Sequence, residues 1–217
     1  MNLKYSIDFW NGDHYKNFEK IANHLKQFPI SLIIELGTFE GRTSFYLLDN
    51  IPKSYVTAVD PNVHEPNFSD NFKEWVKDNN PNRFYWRREY SFDFLINEYV
   101  EGRRKYDMVY IDGDHNSCGV LEDAILSWKI LKVGGILLFD DYNMKVLDNW
   151  FYISHREFST YNNLIWLHPR EAINSFLSLY KGQYELFIDN YQVGVKKLCE
   201  LGELDLDHGH KDIGMFK

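Results

Sequence analysis

Two periodicities alternate along the first part of the chain. Short apolar runs of strand character are separated by segments whose apolar positions recur every three or four residues. That alternation predicts βαβ units and a mostly parallel sheet covered on both faces. A leading helix is predicted from Tyr15 to Phe28, with Ile21, Leu25 and Phe28 at helical spacing and Pro29 behind it. "SLIIELG" reads as the first strand, "RTSFYLLDN" as the first crossover helix and "YVTAVD" as the second strand. "NFKEWVKDNN" is a helix stopped by Pro81, "RFYWRRE" a third strand, and "SFDFLINEYV" a helix closed by Gly102. "YDMVYID" is the fourth strand. A helix from Val120 to Leu131 carries Leu121, Ala124, Ile125, Trp128 and Leu131 on one face, and "GGILLFDD" follows it as the fifth strand.

From Tyr142 to His168 the periodicity gives way to an aromatic-rich stretch, after which Pro169 opens a helical run to Leu179. "YELFIDN" and "YQVGVKKL" flank a tight connection at Asp189-Asn190, so the sheet is expected to finish with an antiparallel hairpin. The fold class expected is therefore α/β: a doubly wound, Rossmann-like sheet of seven strands, mostly parallel, with a C-terminal antiparallel hairpin. Residues 1–30 read as an N-terminal helical segment, 31–198 as the sheet domain and 199–217 as an acidic tail. Residues 142–168 read as a substrate lid or insertion.

Composition narrows the function. With 217 residues, 44% of them hydrophobic and 17% aromatic, the chain can bury one core and is not a disordered segment. Lysine and arginine total 24 against 32 acids, a net charge of -8 that repels a phosphate backbone, so long nucleic acid is a poor partner. Cys118 and Cys199 are too few for a disulfide framework. The opening "MNLKYSIDFW" lacks the apolar run of a signal peptide, and no window approaches the roughly 18 apolar residues of a membrane span. A cytoplasmic protein without membrane contact is expected.

Doubly wound sheets bind ligands outside the carboxyl ends of their strands, and the polar residues of interest lie there. Strand one ends in E-x-G-x-x-x-G, with Glu35, Gly37 and Gly41 around Thr38. The turn lacks the later glycines of a dinucleotide fingerprint, holding Phe39 and Arg42 instead, and Glu35 would repel a pyrophosphate. A cofactor with a cationic amino-acid end suits it better, Glu35 holding the ammonium and backbone N–H groups from Gly37 to Gly41 the carboxylate. Asp60 ends strand two, 23 positions after Gly37, where such folds keep an acid for ribose hydroxyls. Tyr90 and Ser91 follow strand three at the adenine edge, offering a ring to stack and a hydroxyl to bond, with Ser91 equally suited to cap the next helix.

On these residues the chain resembles a class I S-adenosylmethionine-dependent methyltransferase, over Ser31 to about Leu198. The stretch "YIDGDHNSCGVLEDAILSWKILKVGGILLFDDY" is similar to the metal-dependent small-molecule O-methyltransferases of sugar and macrolide type. It carries Asp140-Asp141 and Asp114-His115 where catechol-type relatives carry Asp-Asn and a lysine. The resemblance implies that Glu35, Gly37, Thr38, Gly41, Asp60, Tyr90, Ser91 and Asp112 bind S-adenosylmethionine. It also implies that Asp112, Asp140 and Asp141 hold Mg²⁺ or another divalent cation. Strands four and five are expected side by side, roughly 4.8 Å apart, so three carboxylates at their ends would converge and need neutralising.

Asp114 is the first candidate for general base and His115 the second, with the alternative that "DGDHNS" is a turn whose acids satisfy backbone donors. The expected substrate is a hydroxyl on a small sugar- or polyol-like molecule, and a homo-oligomer is left open. The rival readings are a metal-independent N-methyltransferase, a cap-type nucleotide methyltransferase and a catalytically idle cofactor-binding module. A metal-dependent hydroxylase ranks below them, for want of two histidines and a carboxylate at suitable strand ends. His208 and His210, and the basic groups Arg83, Arg87, Arg88, Arg103, Arg104 and Lys105, read as solvated. The aromatic stretch from Trp150 to Trp166 reads as a lid or a dimer surface as readily as core.

Overall fold

Alternation along each strand sends successive side chains to opposite faces, and two separate apolar layers result. The computed structural model describes residues 3–6, 10, 12–61, 67–102, 104–144 and 168–200. Its elements are α1 (Gly12–Leu25), β1 (Ser31–Leu36), α2 (Arg42–Asn50), β2 (Ser54–Val59), α3 (Asn67–Trp75), β3 (Phe84–Arg87) and α4 (Ser91–Glu101). Then follow β4 (Tyr106–Ile111), α5 (Ser117–Ile130), β5 (Leu131–Phe139), α6 (Pro169–Leu179), β6 (Tyr184–Asp189) and β7 (Val193–Lys197). The seven strands form one sheet in the order β3-β2-β1-β4-β5-β7-β6. The first five are parallel, and β7 runs antiparallel to both β5 and β6. The doubly wound sheet and its closing hairpin are as expected.

Ile34, Leu36, Val109 and Ile111 face α4, α5 and α6, where Leu95, Trp128 and Phe176 are fully buried. Their alternates Ile33, Met108 and Tyr110 face α1 and α2 with Phe18, Leu25, Phe45 and Leu48. At about 25 cal/mol per Å² of apolar area, rings and branched chains packed this way supply the main driving force for folding.

Register decides where function can sit. Leu36 pairs with Val59 and Ile111, and Ile111 pairs with Phe139. The residues that follow, Gly37, Asp60, Asp112 and Asp140, therefore leave the sheet at one level. Their N–H groups extend the ladder, Asp112 donating to the Leu36 carbonyl at 2.9 Å and Asp140 to that of Ile111 at 3.0 Å. The strand order reverses between β1 and β4, which opens a crevice at that level.

Helix limits differ from the periodicity in three places. α1 spans 12–25 rather than 15–28, because Gln27 and Phe28 close a tight turn onto His24 and Leu25 before Pro29. α3 spans 67–75 rather than 71–80, its last turn tightening through Lys77 and Asp78. α5 starts at Ser117, where the Asn116 side chain accepts from Gly119 N–H at 2.9 Å, and Leu131 opens β5 instead of closing the helix. The aromatic stretch from Trp150 to Trp166, the tail beyond Glu200 with His208 and His210, and Arg103 lie outside the described residues. Among the described residues no helix is long and apolar enough to cross a membrane.

Candidate active site

The turn after β1 is built by glycine and closed by acids. Gly37 has φ +84°, and a Cβ there would stand 2.2 Å from the Asp112 carbonyl oxygen, so the turn lies directly against the end of β4. Asp60 Oδ2 accepts from the N–H groups of Thr38 and Phe39, each at 3.0 Å. Glu35, 2% exposed, accepts the hydroxyls of Thr38, at 2.8 Å, and of Ser44 on Oε2. Burial lifts its carboxyl to about 7, against the pull of those hydroxyl donors.

Gly37, Thr38, Phe39 and Gly41 already donate their N–H groups, to Val59, Asp60, Asp60 and Thr38 respectively. Glu35 is a buried brace of the turn, because its position inside the last residues of β1 leaves it enclosed by α2. Tyr90, 65% exposed, precedes α4, and Ser91 is the first helical residue rather than its cap. Burial raises the Asp123 carboxyl of α5 to about 7, against the pull of the nearby Ser91 hydroxyl.

At the ends of β4 and β5 the acids lie close together, the Tyr110 hydroxyl reaching Asp112 Oδ2 at 3.0 Å as well as Asp140 Oδ2. Asp112, His115 and Asp141 each bring a ligand atom within 4.8 Å of the others, and all three are half-buried. His115 Nδ1 lies 3.1 Å from Asp141 Oδ2, and the Tyr191 hydroxyl donates to Asp141 Oδ1 at 2.5 Å. Burial alone would depress the His115 imidazole, but the bond to Asp141 and the charges of Asp141, Asp114 and Asp140 raise it above its ordinary value. Burial and the charges of Asp140 and Asp141 lift Asp112 well above the usual carboxylate range.

Asp140 is not among the three residues that bring ligand atoms together, and both of its oxygens are engaged. Its Oδ2 accepts from the Tyr110 hydroxyl and, at 3.2 Å, from Gln192 Nε2. Its Oδ1 accepts from the Asp141 N–H at 2.8 Å and lies 3.5 Å from His14 Nε2. Burial opposes its ionisation, yet His14, Tyr110 and the Asp141 N–H hold it below the ordinary range. Asp114 is exposed, with both oxygens on Asn116, through its N–H at 3.0 Å and its side-chain amide. It is a turn residue at the head of α5. His14 and Gln192 were not legible from sequence, since they meet Asp140 only across long chain separations.

A glycine turn after β1 and acids at the ends of β2, β4 and β5, on this strand order, define the Rossmann-like fold of class I S-adenosylmethionine-dependent methyltransferases. The chain belongs to the methyltransferase domain family, whose model matches residues 34–142. It is 28% identical over 131 residues to an uncharacterized protein, R132, of Acanthamoeba polyphaga mimivirus. That match spans 59% of this chain and 59% of that protein. The O-methyltransferase from Bacillus cereus in complex with SAH superposes with a TM-score of 0.58 at 15% identity, covering 88% of this chain and 84% of that one. An rRNA methylase from Streptococcus thermophilus gives a TM-score of 0.57 at 14% identity, covering 89% and 100%. At these identities the two structures speak for the fold.

Proposed function

We propose that this protein transfers the methyl group of S-adenosylmethionine to a hydroxyl of a small, sugar- or polyol-like molecule. The observation that carries the reading is the meeting of His115, Asp141 and Asp112 at the carboxyl ends of β4 and β5, against the glycine turn of β1. Bound there, S-adenosylmethionine supplies a methyl on a sulfonium that an oxygen lone pair can displace. Gly37, Thr38 and Gly41 shape the turn beside it, and Asp60 and Ser91 stand where ribose and adenine are expected. The exposed Tyr90 ring offers a stacking face.

His115 is the base. Its Nδ1 faces Asp141, which fixes the ring and leaves Nε2 to take the acceptor's proton. In a metal-assisted form of the reaction Asp112, His115 and Asp141 would instead hold one divalent cation, two offering carboxylate oxygens and one an imidazole nitrogen, and His115 would then be a ligand rather than the base. Such an ion would supply Lewis-acid polarisation of a hydroxyl oxygen. The net charge of -8 favours a small acceptor over the RNA of the fold's rRNA methylases.

Calorimetry with S-adenosylhomocysteine tests the cofactor, with micromolar binding expected and no binding at millimolar concentration removing the reading. Transfer of labelled methyl from S-adenosylmethionine to a panel of sugars, polyols and short RNAs tests the acceptor. Methylation of RNA alone, with affinity falling steeply in salt, would replace the acceptor class.

A further inference from the structure

We propose that His14 on α1 is a positioning residue for the His115–Asp141 pair, acting through Asp140. Its use in catalysis rests on the methyl-transfer reading above, whereas the contacts that argue it do not. α1 lies outside residues 34–142, the span of the family match, so this contribution comes from the chain's own N-terminal helix.

Asp141 is the point of leverage. Its φ is +57°, a left-handed backbone that disfavours a non-glycine residue by about 1 kcal/mol or more unless its surroundings hold it there. Its N–H is held by Asp140 Oδ1 at 2.8 Å, its Oδ1 by the Tyr191 hydroxyl and its carbonyl by the Met144 N–H at 2.9 Å. In that conformation Oδ2 reaches His115 Nδ1. Asp140 can serve only if its own carboxylate does not turn.

The Tyr110 hydroxyl holds Oδ2 from within the sheet, and α1 adds to that restraint with two side chains on one face, three residues apart. His14 Nε2 sits 3.5 Å from Asp140 Oδ1, and its ring packs on Tyr191 with centroids 5.6 Å apart. One turn on, Asn17 Nδ2 donates at 3.0 Å to Gln192 Oε1, whose amide nitrogen donates to Asp140 Oδ2. Asp140 is 9% exposed, Asn17 6% and Gln192 0%, so water is in no position to replace these donors. The order of command runs from His14 to Asp140, from Asp140 to the Asp141 backbone, and from Asp141 to the base.

The test reads the base directly, in the full chain with neither cofactor nor metal, by ¹⁵N NMR of the histidine side chains. His115→Gln identifies the signal. In the native protein the His115 Nδ1 proton is hydrogen-bonded and protected from exchange. His14→Ala lowers that protection about tenfold, and His14→Gln, whose amide can reach Asp140 from the same place, restores it to within about twofold. His14→Leu, which fills the space without a donor, replaces alanine should that variant lose its near-UV circular dichroism. An unchanged signal in a folded alanine or leucine variant overturns the proposal, as does equal loss in the glutamine variant. Calorimetry with S-adenosylhomocysteine runs in parallel: absent binding in the native protein sinks the methyl-transfer reading, while the His115 signal still decides the role of His14 independently.

Discussion

Replacing Glu35 by glutamine should change stability in a way that depends on pH. The carboxyl is enclosed by the turn and α2, bonded by the Thr38 and Ser44 hydroxyls, and lifted by burial from an ordinary 4.5 to about 7. A carboxyl that binds its proton more tightly when folded gives the native state more bound protons between those values. The free energy of unfolding contributed by Glu35 therefore falls as pH rises from 4.5 to about 7 and is level above. A displacement of that size corresponds to about 3 kcal/mol at full expression. Glutamine does not titrate and can still accept from both hydroxyls. Urea unfolding of both proteins should then show the variant gaining up to about 3 kcal/mol on the native chain between about pH 5 and pH 8.5. Taking the difference cancels the parallel titration of Asp123. A difference curve flat to within about 0.5 kcal/mol would refute the argument, because it would mean that Glu35 ionises in the fold as it does in water.

Other changes separate the roles assigned to neighbouring residues. Asp60→Ala should weaken S-adenosylhomocysteine binding at least about tenfold by calorimetry, since it removes both a ribose acceptor and the anchor of Thr38 and Phe39. His115→Gln should lower methyl transfer by about 10²- to 10⁴-fold in a labelled-methyl assay while leaving S-adenosylhomocysteine affinity unchanged. Asp114→Asn should leave turnover within about threefold of native and cost about 1 kcal/mol of stability, because its carboxylate only closes a turn on Asn116. Gly37→Ala should destabilise by well over about 1 kcal/mol in thermal melts, since it combines a left-handed backbone with a Cβ placed 2.2 Å from the Asp112 carbonyl. Titration with EDTA should abolish turnover if Asp112, His115 and Asp141 hold an ion, and turnover that survives assigns the proton to His115 and Asp141 alone.

Much of the architecture is legible in the order of residues. The apolar runs at the heart of β1, β4 and β5 are buried on both faces, so little polar interrupts them, and the strands end just before Gly37, Asp112 and Asp140. Helix ends are less legible, because hydrogen bonding in the last turn can tighten without changing which residues face the core, as at Gln27 and Lys77. Asp114 illustrates a different difficulty. A carboxylate two residues beyond a strand end has the composition of a base and of an Asx turn alike, and only its partner, Asn116, tells them apart.

From its sequence alone, this protein was committed to a doubly wound sheet with glycines and carboxylates at the strand ends, since hydrophobic period and turn chemistry are local properties. Which carboxylates share a site was decided by tertiary structure. Asp140 and Asp141 are consecutive, yet one turns inward to Tyr110, Gln192 and His14 while the other, bent left-handed, faces His115. That choice depends on α1 and the β6–β7 turn arriving from opposite ends of the chain, and no local pattern around residue 140 encodes their arrival.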